Sequence, residues 1–101
     1  MWIKQGVSIK NLNACMMPGL LAAYAFCLEN EYSCVITSGC DGVHSSNSLH
    51  YIGLALDFRT RQMSEPMQFK FVQYLRERLD ECYDIVLEAD HLHLEYDENK
   101  K

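Results

Sequence analysis

The sequence predicts an α+β domain: a small antiparallel sheet flanked by two main helices. Two stretches show helical apolar spacing, and four short runs have strand character. The connections between the strands are too short for parallel crossovers throughout, so the pairing is expected to be antiparallel. A chain of 101 residues fits one domain, taken as residues 1–101 with a core from about residue 6 to residue 96 and a frayed tail over 97–101.

The first helix is expected from Pro18 to Glu31. Met17, Leu20, Leu21, Tyr24, Ala25 and Leu28 recur at helical spacing there, and Pro18 suits a first turn. The run SCVITSG follows, with β-branched Val35, Ile36 and Thr37, and stops at Gly39; it is expected to be a buried strand. CDGVHSSNS is a polar loop. YIGLALDFRT then alternates, with Ile52, Leu54, Leu56 and Phe58 on one face and Gly53, Ala55, Asp57 and Arg59 on the other. Ser64 can cap a second helix running to about Glu81, whose buried stripe is Met67, Phe71, Tyr74, Leu75 and Leu79. YDIVL (83–87) and HLHLEY (91–96) are expected as an antiparallel hairpin across Glu88-Ala89-Asp90.

Composition narrows the function. Hydrophobic residues make up 49% of the chain, enough for one modest core. A domain this small buries a limited share of its surface, so a bound metal would help to hold it. A net charge of −5, with no stripe of Lys or Arg, argues against nucleic acid and against anionic membranes. No segment is long and apolar enough to span a bilayer. Polar Ser8, Lys10, Asn11 and Asn13 interrupt the N-terminal stretch, so a cytoplasmic chain without a cleaved leader is expected. The five cysteines, Cys15, Cys27, Cys34, Cys40 and Cys82, contain no CxxC spacing and form neither a disulfide framework nor a thiolate zinc knuckle. Trp2, Tyr24, Tyr51, Phe58, Phe69, Phe71 and Tyr74 are expected in the core or at its rim, and no nucleotide, serine-hydrolase or HExxH motif occurs.

Three of the four histidines stand near carboxylates. His50 precedes a strand whose small-residue face carries Asp57, and Gly53 and Ala55 would leave space beside that carboxylate for an ion. His91 and His93 are two apart on a strand, so both rings point to one side. An HxH pair also arises by chance, and a histidine at a strand end is often only a surface residue. Buried imidazoles and a buried carboxylate nevertheless need partners, and zinc would satisfy all of them. Two imidazole nitrogens and one carboxylate oxygen at roughly 2.0–2.2 Å leave a fourth tetrahedral position for water, whose pKa would fall to roughly 7.

The string Ser48-x-His50-x-x-Gly53-x-Ala55-x-Asp57, with ITSG before it and HLHLEY at the far end, resembles the family of zinc D-alanyl-D-alanine carboxypeptidases and L-alanyl-D-glutamate endopeptidases. Phage lysins and bacterial cell-wall enzymes belong to that family, and its fold is shared with the hedgehog signalling domain. The resemblance covers nearly the whole chain, roughly Gly6 to Tyr96. It implies that His50, Asp57 and His93 hold one zinc ion, with Ser48 orienting the first ligand loop. Members carry the catalytic base either three positions before the last ligand, which is Asp90, or two before it, which is His91. On strand geometry His91 faces the metal and Asp90 does so only if the turn reorients it; Glu88 is a third candidate. One of Asp90 and His91 would deprotonate the attacking water and the other would stabilise the oxyanion.

Many relatives also carry an arginine two residues after the glycine of the SG turn, where it grips a substrate carboxylate. Asp41 stands there, so either Arg59 or Arg61 would take that role or the substrate would differ. His44 is expected to be a loop residue, and Cys40 is not expected to ligate. The implied activity is zinc-dependent hydrolysis of a peptide bond in the peptidoglycan stem peptide or cross-link, by a monomer acting on the cell wall. A non-catalytic zinc-binding module and a virion structural protein of the same fold are the rivals.

Overall fold

The computed structural model describes residues 1–39 and 53–98. Within them lie five strands and two helices: β1 (Trp2–Ile3), α1 (Met17–Glu29), β2 (Val35–Ser38), β3 (Ala55–Arg59), α2 (Glu65–Arg78), β4 (Tyr83–Leu87) and β5 (His91–Tyr96). A single 3-10 turn, Ala14–Met16, leads into α1. The strands form one sheet in the order β1-β2-β3-β5-β4. β1 runs parallel to β2, and every other pairing is antiparallel. The sheet is therefore mixed, whereas the sequence predicted an antiparallel one. Two residues at an edge are too few to show alternation, and β1 is held by its partner: Trp2 N–H donates to the Cys34 carbonyl (2.7 Å) and Lys4 N–H to that of Ile36 (3.0 Å).

Both helices cover the same sheet face. Ile36, Leu56, Phe58, Leu92 and Leu94 meet Leu20, Phe26, Phe71 and Leu75 in one core. Phe71 stacks on Phe26 with ring centroids 4.8 Å apart and stands edge-on to Phe58 at 6.5 Å, contacts worth about 0.5–1.5 kcal/mol each beyond the area they bury. Alternation along β3 and β5 therefore sends Asp57, Arg59, His91, His93 and Glu95 to the opposite face, which neither α1 nor α2 covers. Ser64 caps α2 as its spacing predicts, its hydroxyl accepting from Met67 N–H at 3.3 Å.

The buried face of α1 differs from the predicted stripe. Leu20 lies inside, but Gly19, Ala23, Phe26 and Cys27 are buried with it, while Met17, Leu21, Tyr24 and Leu28 are exposed. This helix carries one charged residue, Glu29, so apolar spacing alone does not choose a face. Small residues choose it. The α-carbon of Gly19 lies so close to Leu94 and Tyr83 that an added methyl would sit 2.7 Å from the Leu94 side chain, and Tyr83 donates its hydroxyl to the Cys15 carbonyl. Trp2 is also outside the core, being 67% exposed on the edge strand. Cys27, Cys34 and Cys82 are buried free thiols and Cys15 is exposed; Tyr51 lies outside the described residues. Among the described residues no helix is long and apolar enough to cross a membrane.

Candidate active site

The site is built on the register of two neighbouring strands. β3 and β5 pair so that Asp57 stands opposite His93 and Arg59 opposite His91. Directly opposed residues of an antiparallel pair have side chains within reach of one another, and here the contact is made: His93 Nδ1 lies 2.7 Å from Asp57 Oδ1. The second nitrogen of the same ring, Nε2, lies 2.7 Å from Glu95 Oε1. His93 is thus clamped between two carboxylates. Its side chain is 22% exposed and that of Asp57 16%, so the cluster is shielded but still reachable.

The hydrogen bond to Asp57 pushes the His93 imidazole up to about 9, burial opposing it and Glu95 adding to it. His93 is therefore an imidazolium at neutral pH in the metal-free chain. The raised value makes the ion cluster stabilising below the ordinary histidine pKa near 6.5, a contribution lost as pH rises through 9. Its size is at most about 3 kcal/mol. Among the described residues, Asp57 and Glu95 contact this ring, and the Nε2 atom of His91 lies 4.0 Å from Asp57 Oδ2. The metal-free protein should accordingly lose urea resistance between pH 6.5 and 9, and His93→Gln should flatten that slope; equal slopes for both would show that other groups dominate.

His91 points to the same side as His93, as the two-residue spacing predicts. Asp90 does as well. The turn closes with Glu88 N–H donating to the His91 carbonyl (2.8 Å), and the Asp90 carbonyl accepts from Thr60 N–H (3.1 Å). This geometry brings Asp90 Oδ1 to 2.7 Å from His91 Nδ1. That contact holds the Asp90 carboxyl below its usual range, so Asp90 is ionised at neutral pH. Glu88, the third candidate base, is exposed and does not line the cavity described next.

A cavity of about 310 Å³ opens beside these residues, lined among the described residues by Lys4, Thr37, Ser38, Asp57, Arg59, Arg61, Asp90 and His91. The expected open space at Gly53 is not part of it. Gly53 lies before β3 with φ +74°, and a methyl there would run into the Asn11 carbonyl; its own carbonyl accepts from Asn13 N–H at 2.9 Å. This glycine lets the chain lie against the 11–13 segment, and Ala55 is fully buried. The open volume lies toward Arg59 and His91.

Ser48, His50, Asp41, His44 and Cys40 lie outside the described residues, so Asp57 and His93 are the two expected zinc ligands that can be placed. Among the described residues no group of three His, Cys, Asp or Glu side chains could hold a metal ion. The pair nevertheless suits one: a carboxylate oxygen faces an imidazole nitrogen, and Glu95 takes the other ring nitrogen, as carboxylates do for metal-bound histidines. Sequence reasoning missed Glu95, although its two-residue spacing from His93 put it on the same face. It also missed Lys4, whose position depends on the parallel pairing of β1. Comparison with protein-family models, with curated proteins and with solved structures finds no match for this chain.

Proposed function

We propose that this chain is a zinc-dependent metallopeptidase with the hedgehog/DD-peptidase fold, hydrolysing a peptide bond in the stem peptide or cross-link of bacterial peptidoglycan. The observation that carries this reading is the direct contact of Asp57 with His93 across β3 and β5, with Asp90 and His91 on the same sheet face at the edge of an open cavity. His50, Asp57 and His93 would hold the ion, Ser48 would support the first ligand loop, and Glu95 would fix the ring of His93. When bound, zinc supplies a Lewis acid for the scissile carbonyl and makes a water molecule nucleophilic near neutral pH.

The chain's own residues divide the remaining work. Asp90, an exposed carboxylate, accepts Nδ1–H of His91 and so fixes the tautomer in which Nε2 is free to take a proton. That Nε2 faces Asp57, at 4.0 Å. His91 is then the general base that removes a proton from the attacking water, and it returns the proton to the leaving amine. In this division Asp90 acts through His91. The enzyme would act on the cell wall as a monomer after leaving the cytoplasm.

Two measurements on the purified chain test the reading: elemental analysis for zinc and mass spectrometry of muropeptides after incubation with peptidoglycan. About one equivalent of zinc and new, shortened stem peptides are expected. Less than about half an equivalent of zinc, together with an unchanged muropeptide profile, would remove it.

A further inference from the structure

We infer that the outer face of α1 is a weak self-association surface, on which α1 of a second copy of this chain packs antiparallel about a two-fold axis. The inference stands apart from the peptidase reading. It starts from a face with the wrong chemistry for water. A helix on the surface of a small domain normally turns charged and polar residues outward, yet the only charged side chain of α1 is Glu29, at its last position. Met17, Leu21, Tyr24 and Leu28 form the outer stripe and are between 37% and 64% exposed. Their spacing of four, three and four residues is that of a coiled-coil seam, which keeps one narrow stripe against a facing helix. Ala22 and Ala25 flank it on one side, so a second helix can approach closely.

The charges at the two ends of α1 decide what fits there. Its first turn contains no acidic residue, and the residue before it, Met16, makes no side-chain capping bond. Its last turn contains no basic residue, and Glu29 adds negative charge to the negative end of the helix dipole. Each end therefore lacks the charge that the opposite end of an antiparallel copy supplies. The stripe is centred between Leu21 and Tyr24. A two-fold axis at that point sets Leu21 against Tyr24 of the second copy and Met17 against its Leu28, and it brings Glu29 beside the positive N-terminal end of the facing helix. A parallel pair would instead bring two Glu29 carboxylates together. Within its own chain Glu29 accepts only a long bond from the Tyr74 hydroxyl, at 3.5 Å. A lipid surface fits less well: interfacial helices carry Lys or Arg on their polar face, α1 has neither, and a net charge of −5 repels anionic headgroups.

α1 has 13 residues and is about 20 Å long, so one helix pair covers less than the roughly 1,200 Å² of a stable interface. The dimer is therefore weak, and in dilute solution the chain is the monomer proposed above. Because α1 packs on the sheet face opposite Asp57 and His93, the dimer leaves both candidate sites open.

Sedimentation equilibrium of the full chain from about 10 µM to about 1 mM, a span suited to so small an interface, tests the inference. A reducing agent keeps the exposed Cys15 thiol from cross-linking copies. The apparent mass should rise with concentration from 11.7 kDa toward twice that value. Leu21→Lys and Leu28→Lys should each hold it at the monomer value, with an unchanged far-UV circular dichroism spectrum because both positions are exposed. Glu29→Lys separates folding from association. The lysine favours its own helix C-terminus but opposes the positive end of the facing helix, so the dissociation constant should rise about threefold or more while the monomer melts no earlier. Zinc content and muropeptide cleavage should be the same in all three variants and the wild type.

A mass that stays at the monomer value up to about 1 mM would overturn the inference, as would a wild-type rise in the Leu21→Lys, Leu28→Lys double variant. An unchanged or lower dissociation constant for Glu29→Lys would overturn the antiparallel arrangement. Binding of the chain to phosphatidylcholine vesicles without self-association would assign the face to lipid instead.

Discussion

If the chain is the zinc peptidase proposed above, replacing His93 by glutamine is expected to remove zinc and, with it, cleavage of peptidoglycan. Glutamine keeps most of the volume and can still hydrogen-bond Asp57 and Glu95, so the sheet register, fixed by the 91–96 strand as a whole, should survive. What it lacks is an imidazole nitrogen for the ion. With two of the three proposed ligands left, zinc should fall from about one equivalent to a small fraction after dialysis. Losing several kcal/mol of transition-state stabilisation lowers the rate about a thousandfold or more. EDTA should reproduce this loss in the unaltered protein and zinc should reverse it there, but not in the variant.

Glu95→Gln provides the graded comparison. Glu95 holds the far side of the same ring at 2.7 Å, so its loss should weaken zinc affinity by about 10–100-fold while the ion still binds at saturation. Zinc should also bind more tightly as pH rises toward 9, since it must displace the proton that Asp57 and Glu95 hold on His93. If His93→Gln retains a full equivalent of zinc, His93 is not a ligand.

How far the sequence led depends on which physical signal each element carries. The hairpin was legible to the residue: Tyr83–Leu87 and His91–Tyr96 are the two runs expected on either side of the polar link 88–90, and the register of the second is pinned because a slip of one residue would expose Leu92 and Leu94. The contact of Asp57 with His93 follows from the same alternation once the two strands are neighbours, and it was the string of motif residues that selected the pair. The packing of α1 was not legible. A helix apolar on nearly all sides is oriented by shape, through Gly19 and Ala23, and hydrophobic spacing does not record shape. β1 and Lys4 were missed for a related reason, since a two-residue edge strand exists through its partner. The direction of Asp90 was left open by strand geometry and decided by the turn, in which backbone bonds from Glu88 and Thr60 fix the path of the chain.

That turn sets up the second large effect, the division of labour between Asp90 and His91. If His91 is the base and Asp90 its orienting partner, His91→Ala should lower kcat by about 10²–10⁴, the usual contribution of a positioned proton acceptor, with zinc content unchanged. Asp90→Asn should cost less, because His91 remains, but an amide opposite Nδ1 no longer enforces the productive tautomer. The decisive measurement is the double variant. Removing Asp90 from a protein that already lacks His91 should cost almost nothing further, since residues acting as one unit are strongly non-additive. Additive losses would mean that the two act separately, one on water and the other on the oxyanion. A larger loss from Asp90→Asn than from His91→Ala would make the carboxylate the base and the imidazole its helper. The 2.7 Å contact between them favours the coupled outcome, because a carboxylate held against an imidazole N–H is already engaged with that proton and is a poorer acceptor for another.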